Sequence, residues 1–347
     1  MEDRNESLKE YLKSSFLKNI DLDAFTDITF NGNRLVGESI EIPRIVLIEA
    51  LDNQIVGDFL MHLAHLLGKN FNTLNPILDI AFLNYRLNAI HPIIARDYFK
   101  GVYNFSLRIF SAQLKIKEDD KLLPNVVQKL LKRIIQNRIS LLISGITGSG
   151  KTEFQKYLVS LMSEGTRVVM IEDTYETYLK ELFPKLDILE WVTFNNQENL
   201  KNDISKLIRS ALRNNPDWLI VAEMRGEEAE EVYNSLTTGH PLITTIHSLN
   251  ALKTIDRLAY LLKIIPQDTQ AHLDLIEYTP LAIHLTKKVV EGKTIRYVSQ
   301  IVEYISLIDS FKKNIIYSFD GKKANYLDLS DKMKRSLNYE NKWFETN

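Results

Sequence analysis

Apolar side chains recur at helical spacing near the start of the chain, where Leu8, Tyr11, Leu12 and Phe16 share one side of a solvated helix predicted over residues 4–18. Short apolar runs at 28–30 and 33–36 flank Asn31 and Gly32, which predicts a hairpin around an Asn-Gly turn. Val56, Phe59, Leu60, Leu63 and Leu67 then mark an amphipathic helix that Gly68 can end. From 76 to 110 the pattern is strand-like, clearest over 81–90 and 105–110. Each of these two runs holds one arginine, Arg86 and Arg108, which the pattern alone reads as outward and solvated. The polar segment 115–121 reads as a linker, and Pro124 opens a helix with Val127, Leu130, Leu131, Ile134 and Ile135 on one face.

Beyond residue 138 the period itself alternates. Apolar runs at 140–144, 168–171, 191–194, 218–222 and 242–246 have strand length. Between them, Phe154, Tyr157, Leu158 and Leu161 (with Gly165 as a stop), then Ile204, Leu207, Ile208, Ala211 and Leu212, then Ala229, Val232, Tyr233 and Leu236 keep helical spacing, as do residues 250–263. Later strands are expected at 281–285 and 295–302, and the polar tail from about 310 is less readable. Strand–helix alternation implies a mostly parallel sheet covered by helices, so the fold class is α/β, preceded by an N-terminal α+β domain.

Composition narrows the classes. A chain of 347 residues with 45% hydrophobic and 25% charged residues can build two domains. The formal net charge of −2 gives no overall pull toward nucleic acid, and the cations Lys129, Lys132, Arg133 and Arg138 read as a solvated helix face. Direct nucleic-acid binding is therefore not indicated. With no cysteine, disulfides and thiolate zinc sites are excluded. The polar, mixed-charge N-terminus does not read as a signal peptide, and no apolar run reaches the roughly 18 residues of a membrane span. The expected compartment is cytoplasmic. His62 and His65 lie one helical turn apart with no third ligand in view, so they read as surface residues.

The chemistry concentrates at one stretch. GITGSGKT at 145–152 fits the phosphate-binding loop, between a predicted strand and a predicted helix. Gly145, Gly148 and Gly150 let the backbone, with Thr147 and Ser149, turn its N–H groups toward phosphate oxygens. Lys151 can reach the β- and γ-phosphates, and the Thr152 hydroxyl can bind Mg²⁺. In open α/β sheets ligands sit beyond the carboxyl ends of the strands. There the predicted strands deliver Glu172, Asp173 and Glu176, then Glu223 and Arg225, then His247. Phosphoryl transfer needs hard oxygens for Mg²⁺, a carboxylate to orient water, and cations near the γ-phosphate. Asp217 precedes its strand, so Glu223, taken as just past it, is the better metal candidate beside Thr152.

These residues resemble the hexameric secretion ATPases that drive type IV secretion, type II secretion and type IV pili. The phosphate loop is joined by IEDTYE at 171–176, similar to the family's Asp box. LRNNPD at 212–217 with EMRG at 223–226 is similar to its Walker B block, and TGH at 238–240 with TIH at 245–247 to its His box. RLN at 86–88 and LRI at 107–109 are similar to its two arginine strands. The resemblance implies a RecA-like P-loop ATPase domain over 138–347 with a C-terminal extension, a linker and linker helix over 113–137, and an N-terminal domain over 1–112. It implies ATP and Mg²⁺ as cofactors, Glu223 and Glu176 as catalytic carboxylates, and His247 as a γ-phosphate sensor. Arg86 and Arg108 become γ-phosphate ligands, which reverses the pattern-only reading, and the segment 111–123 becomes a hinge. Glu172 and His240 join the nucleotide-binding set, although His240 could equally cap or pack behind the site.

Within the superfamily the chain looks most like the VirB-type traffic ATPase. That implies a homo-hexamer, peripheral at the cytoplasmic face of the inner membrane, working with other type IV secretion inner-membrane ATPases and channel subunits. Ala222 departs from the glycine many relatives carry before the glutamate. The alternatives are a pilus-retraction or DNA-uptake motor, a small-molecule P-loop kinase, and a nucleotide-gated assembly factor with little turnover.

Overall fold

The helical spacing of Leu8 and Leu12 becomes α1 (Glu2–Ser14), whose two leucines are buried. It opens a computed structural model that describes residues 2–39, 44–110, 113–116, 123–195, 201–202, 204–226, 228–265, 268–291 and 293–345. The chain divides into two units, Met1–Ser111 with Val289–Ile295, and Ala112–Lys288 with Arg296–Asn347. Of the linker expected at 115–121, residues 117–121 lie outside the described residues, as does most of the hinge expected at 111–123.

The first unit continues with β1 (Asp27–Phe30), β2 (Leu35–Glu38), β3 (Ile45–Ile48), α2 (Asn53–Leu66), β4 (Ile77–Phe82), β5 (Tyr85–Ile90), the short pair β6 (Arg96–Asp97) and β7 (Lys100–Gly101), and β8 (Asn104–Ile109). Six strands form an antiparallel sheet in the order β3-β2-β1-β8-β5-β4. Leu8, Leu12, Val56, Leu60 and Leu63 share its core with Ile28, Leu87 and Leu107. Asp52 caps α2 by accepting from Gln54 N at 2.7 Å. The first hairpin pairs Phe30 with Leu35, so its loop is four residues and not a two-residue Asn-Gly turn. The Asn31 side chain is the reason: its Oδ1 accepts from the backbone N of both Asn33 and Arg34. The run 81–90 is not one strand but two, because Leu83, at φ +49°, and Asn84 form a tight turn inside it.

Arg86 and Arg108 are direct cross-strand neighbours. Like charges in that position repel, and nearby carboxylates offset them. Arg86 bonds Asp79 at 3.2 Å and Arg108 bonds Asp27 at 3.1 Å.

The second unit begins with α3 (Asn125–Gln136), β9 (Leu141–Gly145), α4 (Lys151–Ser160), β10 (Arg167–Glu172), the short α5 (Leu179–Leu182) and β11 (Asp187–Val192). There follow the short pair β12 (Phe194–Asn195) and β13 (Lys201–Asn202), then α6 (Ile204–Ala211), β14 (Trp218–Met224), α7 (Glu228–Thr237), β15 (Leu242–Ile246), α8 (Thr254–Leu261) and α9 (Thr269–Tyr278). The chain closes with β16 (Leu281–Val290), β17 (Lys293–Ser306), β18 (Phe311–Phe319), β19 (Ala324–Tyr326) and α10 (Asp331–Ser336), of which only residues 289–290 and 293–295 are assigned to the first unit. The sheet order is β11-β10-β14-β15-β9-β16-β17-β18-β19. Pairing is parallel from β11 through β16 and antiparallel from β17 to β19. Alternation along the parallel strands feeds two cores: Leu141 and Ile143 pack with residues of α3 and α4, and Leu142 with residues of α6 to α9.

Three expectations shift here. Helix α4 stops at Ser160, short of Gly165, which lies in the following loop and donates its N–H to Lys185 O at 3.0 Å. Strand β14 runs on to Met224, so Glu223 belongs to the strand and does not follow it. The polar tail is folded: β18 and β19 extend the sheet, and Trp343 is buried with its indole N–H donated to Leu327 O at 2.8 Å.

Candidate active site

The phosphate loop is set by its glycines. At the end of β9, a Cβ on Gly145 would stand 2.7 Å from the Leu285 carbonyl oxygen of the adjacent strand. Gly150, at φ +95°, turns the chain into α4, a conformation that disfavours a side chain. The Lys151 ammonium donates to the carbonyls of Gly145 at 3.0 Å and Ile146 at 3.3 Å, so it lies across its own loop. Burial holds the Lys151 pKa below the ordinary lysine range, against the pull of the Glu223 charge. Thr152 stands in the first turn of α4, and Ser149 Oγ is buried without a hydrogen-bond partner.

Glu223 sits where the β14–β15 register slips, between Val221 and Met224. The backbone on its N-terminal side is pinned, as Gln155 Nε2 donates to Val221 O at 3.2 Å and Thr245 Oγ1 to Ala222 O at 2.7 Å. Glu223 Oε2 accepts from Arg225 Nη2 at 2.7 Å. His247, just past β15, brings Nε2 to 2.8 Å from Glu223 Oε1. This close imidazole contact does not count as a hydrogen bond, and Oε1 is buried with no other partner. Burial works to raise the Glu223 pKa, but Arg225 outweighs it, with help from His247 and Lys151, and the carboxyl lies below its usual range.

The loop after β10 is closed by Glu172. This residue is 1% exposed, and its carboxylate accepts from Glu176 N at 3.2 Å, Thr177 N at 3.1 Å and Thr177 Oγ1 at 2.9 Å. Burial pushes its pKa up to about 8. Glu172 was expected at the nucleotide; here both oxygens serve the loop that carries Glu176. In the same loop Asp173 approaches Arg225 Nη1 at 3.6 Å.

His240 lies elsewhere. It precedes β15 and His247 follows it, so seven residues at about 3.3 Å each put the two histidines about 23 Å apart along the strand. Its Nδ1 is 3.0 Å from Thr238 Oγ1, and it lines a cavity of about 480 Å³ with Arg138, Ser140, Tyr278, Tyr304 and Lys332. This cavity is at the amino edge of the parallel strands, opposite the phosphate loop. Within this chain His240 therefore stands at the edge of the sheet away from the phosphate loop. Arg86 and Arg108 belong to the first unit, whereas the residues gathered around Lys151 belong to the second.

Sequence reasoning assigned no role to several neighbours of the loop. Arg225 is one of them. Arg296 of β17 donates Nε to Gly148 O at 2.9 Å, and Lys287 of β16 brings Nζ to 3.4 Å from where a Gly148 Cβ would stand. Behind the loop, Ser144 Oγ lies 2.9 Å from His284 Nδ1 and accepts from Thr254 Oγ1 at 3.0 Å. Burial, then the Lys151 charge, lowers the His284 pKa to about 4, which keeps the ring neutral. Residues this far along the chain carry no motif that ties them to the loop.

The set suits a polyphosphate with a hard cation. Gly145, Gly148 and Gly150 all take positive φ, Ser149 Oγ and Glu223 Oε1 are buried oxygens without hydrogen-bond partners, and Thr152 and Glu223 are hard donors.

Comparison with known proteins gives the family. The family described as type II/IV secretion system protein matches residues 102–291. An uncharacterized protein of Bacillus anthracis is 34% identical over 296 residues, covering 80% of this chain and 65% of that protein. The type IV secretion system protein VirB11 of Bartonella henselae is 28% identical over 189 residues, covering 54% of this chain and 51% of its own. The chain thus spans between half and two thirds of these relatives. The solved Yersinia pseudotuberculosis ATPase DotB shares the fold, with a TM-score of 0.62 at 16% identity over 86% of this chain and 78% of that one.

Proposed function

Because the chain belongs to the type II/IV secretion system protein family, we propose that it hydrolyses ATP in the presence of Mg²⁺ and that this drives type IV secretion. It does so as a subunit of a homo-hexameric motor, peripheral at the cytoplasmic face of the inner membrane, with the system's other inner-membrane ATPases and channel subunits as partners. The observation that carries the reading is the meeting of Lys151, Glu223 and His247 at one sheet edge, with Ser149 Oγ buried and without a hydrogen-bond partner.

Lys151 exchanges the Gly145 and Ile146 carbonyls for the β- and γ-phosphates, a charge-assisted contact stronger than the one it leaves. The loop N–H groups and the start of α4 add positive potential under the phosphates. Thr152 and Glu223 would hold Mg²⁺, which supplies Lewis-acid stabilisation of the phosphoryl oxygens. Glu223 and Glu176 orient the attacking water, and Glu172 positions Glu176 through the loop. His247 senses the third phosphate. Arg86 and Arg108 bring two further cations to it, leaving Asp79 and Asp27; only a triphosphate offers that contact, which lets ATP and ADP favour different arrangements of the units.

Purified full-length protein tests this. Phosphate release from ATP that requires Mg²⁺, from ring-sized particles in light scattering, is the expected result. Absence of turnover at saturating Mg²⁺ and ATP would overturn the hydrolytic reading.

A further inference from the structure

In this structure the Glu223 carboxylate is already held by a cation of the chain itself. Arg225 donates Nη2 to Glu223 Oε2 at 2.7 Å, while its Nη1 lies 3.6 Å from Asp173 Oδ2. One guanidinium thus bridges the end of β14 and the loop after β10. Its starting point is fixed: the backbone N–H groups of Arg225 and Gly226 both donate to Glu228 Oε1, which closes the turn into α7. The two partners differ in exposure, the Glu223 side chain being 18% exposed and that of Arg225 63%. The carboxylate is committed to the site, whereas the guanidinium can withdraw into water at little cost. Arg225 also bears on Lys151, adding to the burial that lowers its pKa. It therefore lies close enough to both groups for a further cation to compete with it.

We infer that Arg225 is a positioning residue that holds Glu223 until a metal-bound nucleotide takes its place, and that on release it passes to Asp173. Building on the ATPase reading, this deepens the role of one site. The guanidinium and a divalent cation compete for the same carboxylate, whose charge Arg225 already offsets through Oε2, so Arg225 sets how much Mg²⁺ the site requires. The transfer to Asp173 couples loading of Glu223 to the loop that carries Glu176. A purely structural arginine would weaken binding when removed; a competing one strengthens the metal-dependent part.

The experiment is binding of a fluorescent ADP analogue to the full-length protein, titrated with Mg²⁺. Arg225→Gln is expected to lower the half-saturating Mg²⁺ concentration about two- to fivefold, the range of a solvent-exposed ion pair, with metal-free affinity unchanged. Arg225→Lys, which keeps the charge, shifts it less. In a Glu223→Gln background the Arg225→Gln shift disappears, since the contested oxygen is no longer a carboxylate. An unchanged or raised Mg²⁺ midpoint, or an equal shift in the Glu223→Gln background, would overturn the competition. Failure of the wild type to bind the nucleotide would instead overturn the ATPase reading.

Discussion

Strands β14 and β15 carry a carboxylate and an imidazole at each end. Before them stand Asp217 and His240; at their far ends stand Glu223 and His247. At the amino edge Asp217 accepts from Arg138 Nη2 at 2.7 Å and from Arg167 N at 2.9 Å, and His240 rests against Thr238. At the carboxyl edge Glu223 keeps one oxygen without a hydrogen-bond partner, and Ser149 Oγ has none. Residue type is the same at both edges. What differs is whether the polar groups are already satisfied, and a buried unsatisfied oxygen beside a phosphate loop is where an incoming ligand gains most.

The sharpest way to break this contrast is at the loop. Lys151→Ala removes the loop's only full positive charge, and the expected outcome is loss of hydrolysis and sharply weaker nucleotide affinity with the circular dichroism spectrum retained. Next comes Glu223→Gln, expected to keep ATP binding while kcat falls about a hundredfold or more; weaker binding at unchanged kcat would make Glu223 a ground-state contact. A smaller effect is expected from Glu172→Gln, read in stability against pH. Burial raises the folded pKa of Glu172 from 4.5 to about 8, so the folded state keeps a proton that the unfolded chain releases in between. Its contribution is full below pH 4.5 and is lost as pH rises to about 8. The Tm of the wild type should therefore fall relative to Glu172→Gln across that window and run parallel above it. The smallest effect is at the amino edge: His240→Ala should leave phosphate release within about twofold of wild type, whereas His247→Ala should not.

The same contrast explains what was legible beforehand. The phosphate loop is local in sequence, since its glycines, lysine and threonine act through adjacent backbone, and the structure sets it between β9 and α4 as expected. His240 and His247 look alike in a motif; only the strand between them separates the two edges. Glu223 was expected past its strand because a register slip at a bulge leaves no mark in hydrophobic periodicity. Arg225, Arg296 and Lys287 meet the loop through tertiary pairing, and an arginine or lysine in a strand looks the same wherever the sheet carries it. The tail hid β18 because an edge region of the sheet mixes solvated lysines with buried Ile316 and Tyr317. Arg86 and Arg108 were legible as strand residues and as a pair; their carboxylate partners, Asp79 and Asp27, were not.

The most direct test of the carboxyl edge as the nucleotide site is amide hydrogen exchange of the full-length protein with and without a Mg²⁺-bound, non-hydrolysable ATP analogue. Slowed exchange across residues 147–152, with residues 238–241 unchanged, is the expected pattern. Protection at 238–241 with none at 147–152 would contradict it and move the ligand to the opposite edge of the sheet.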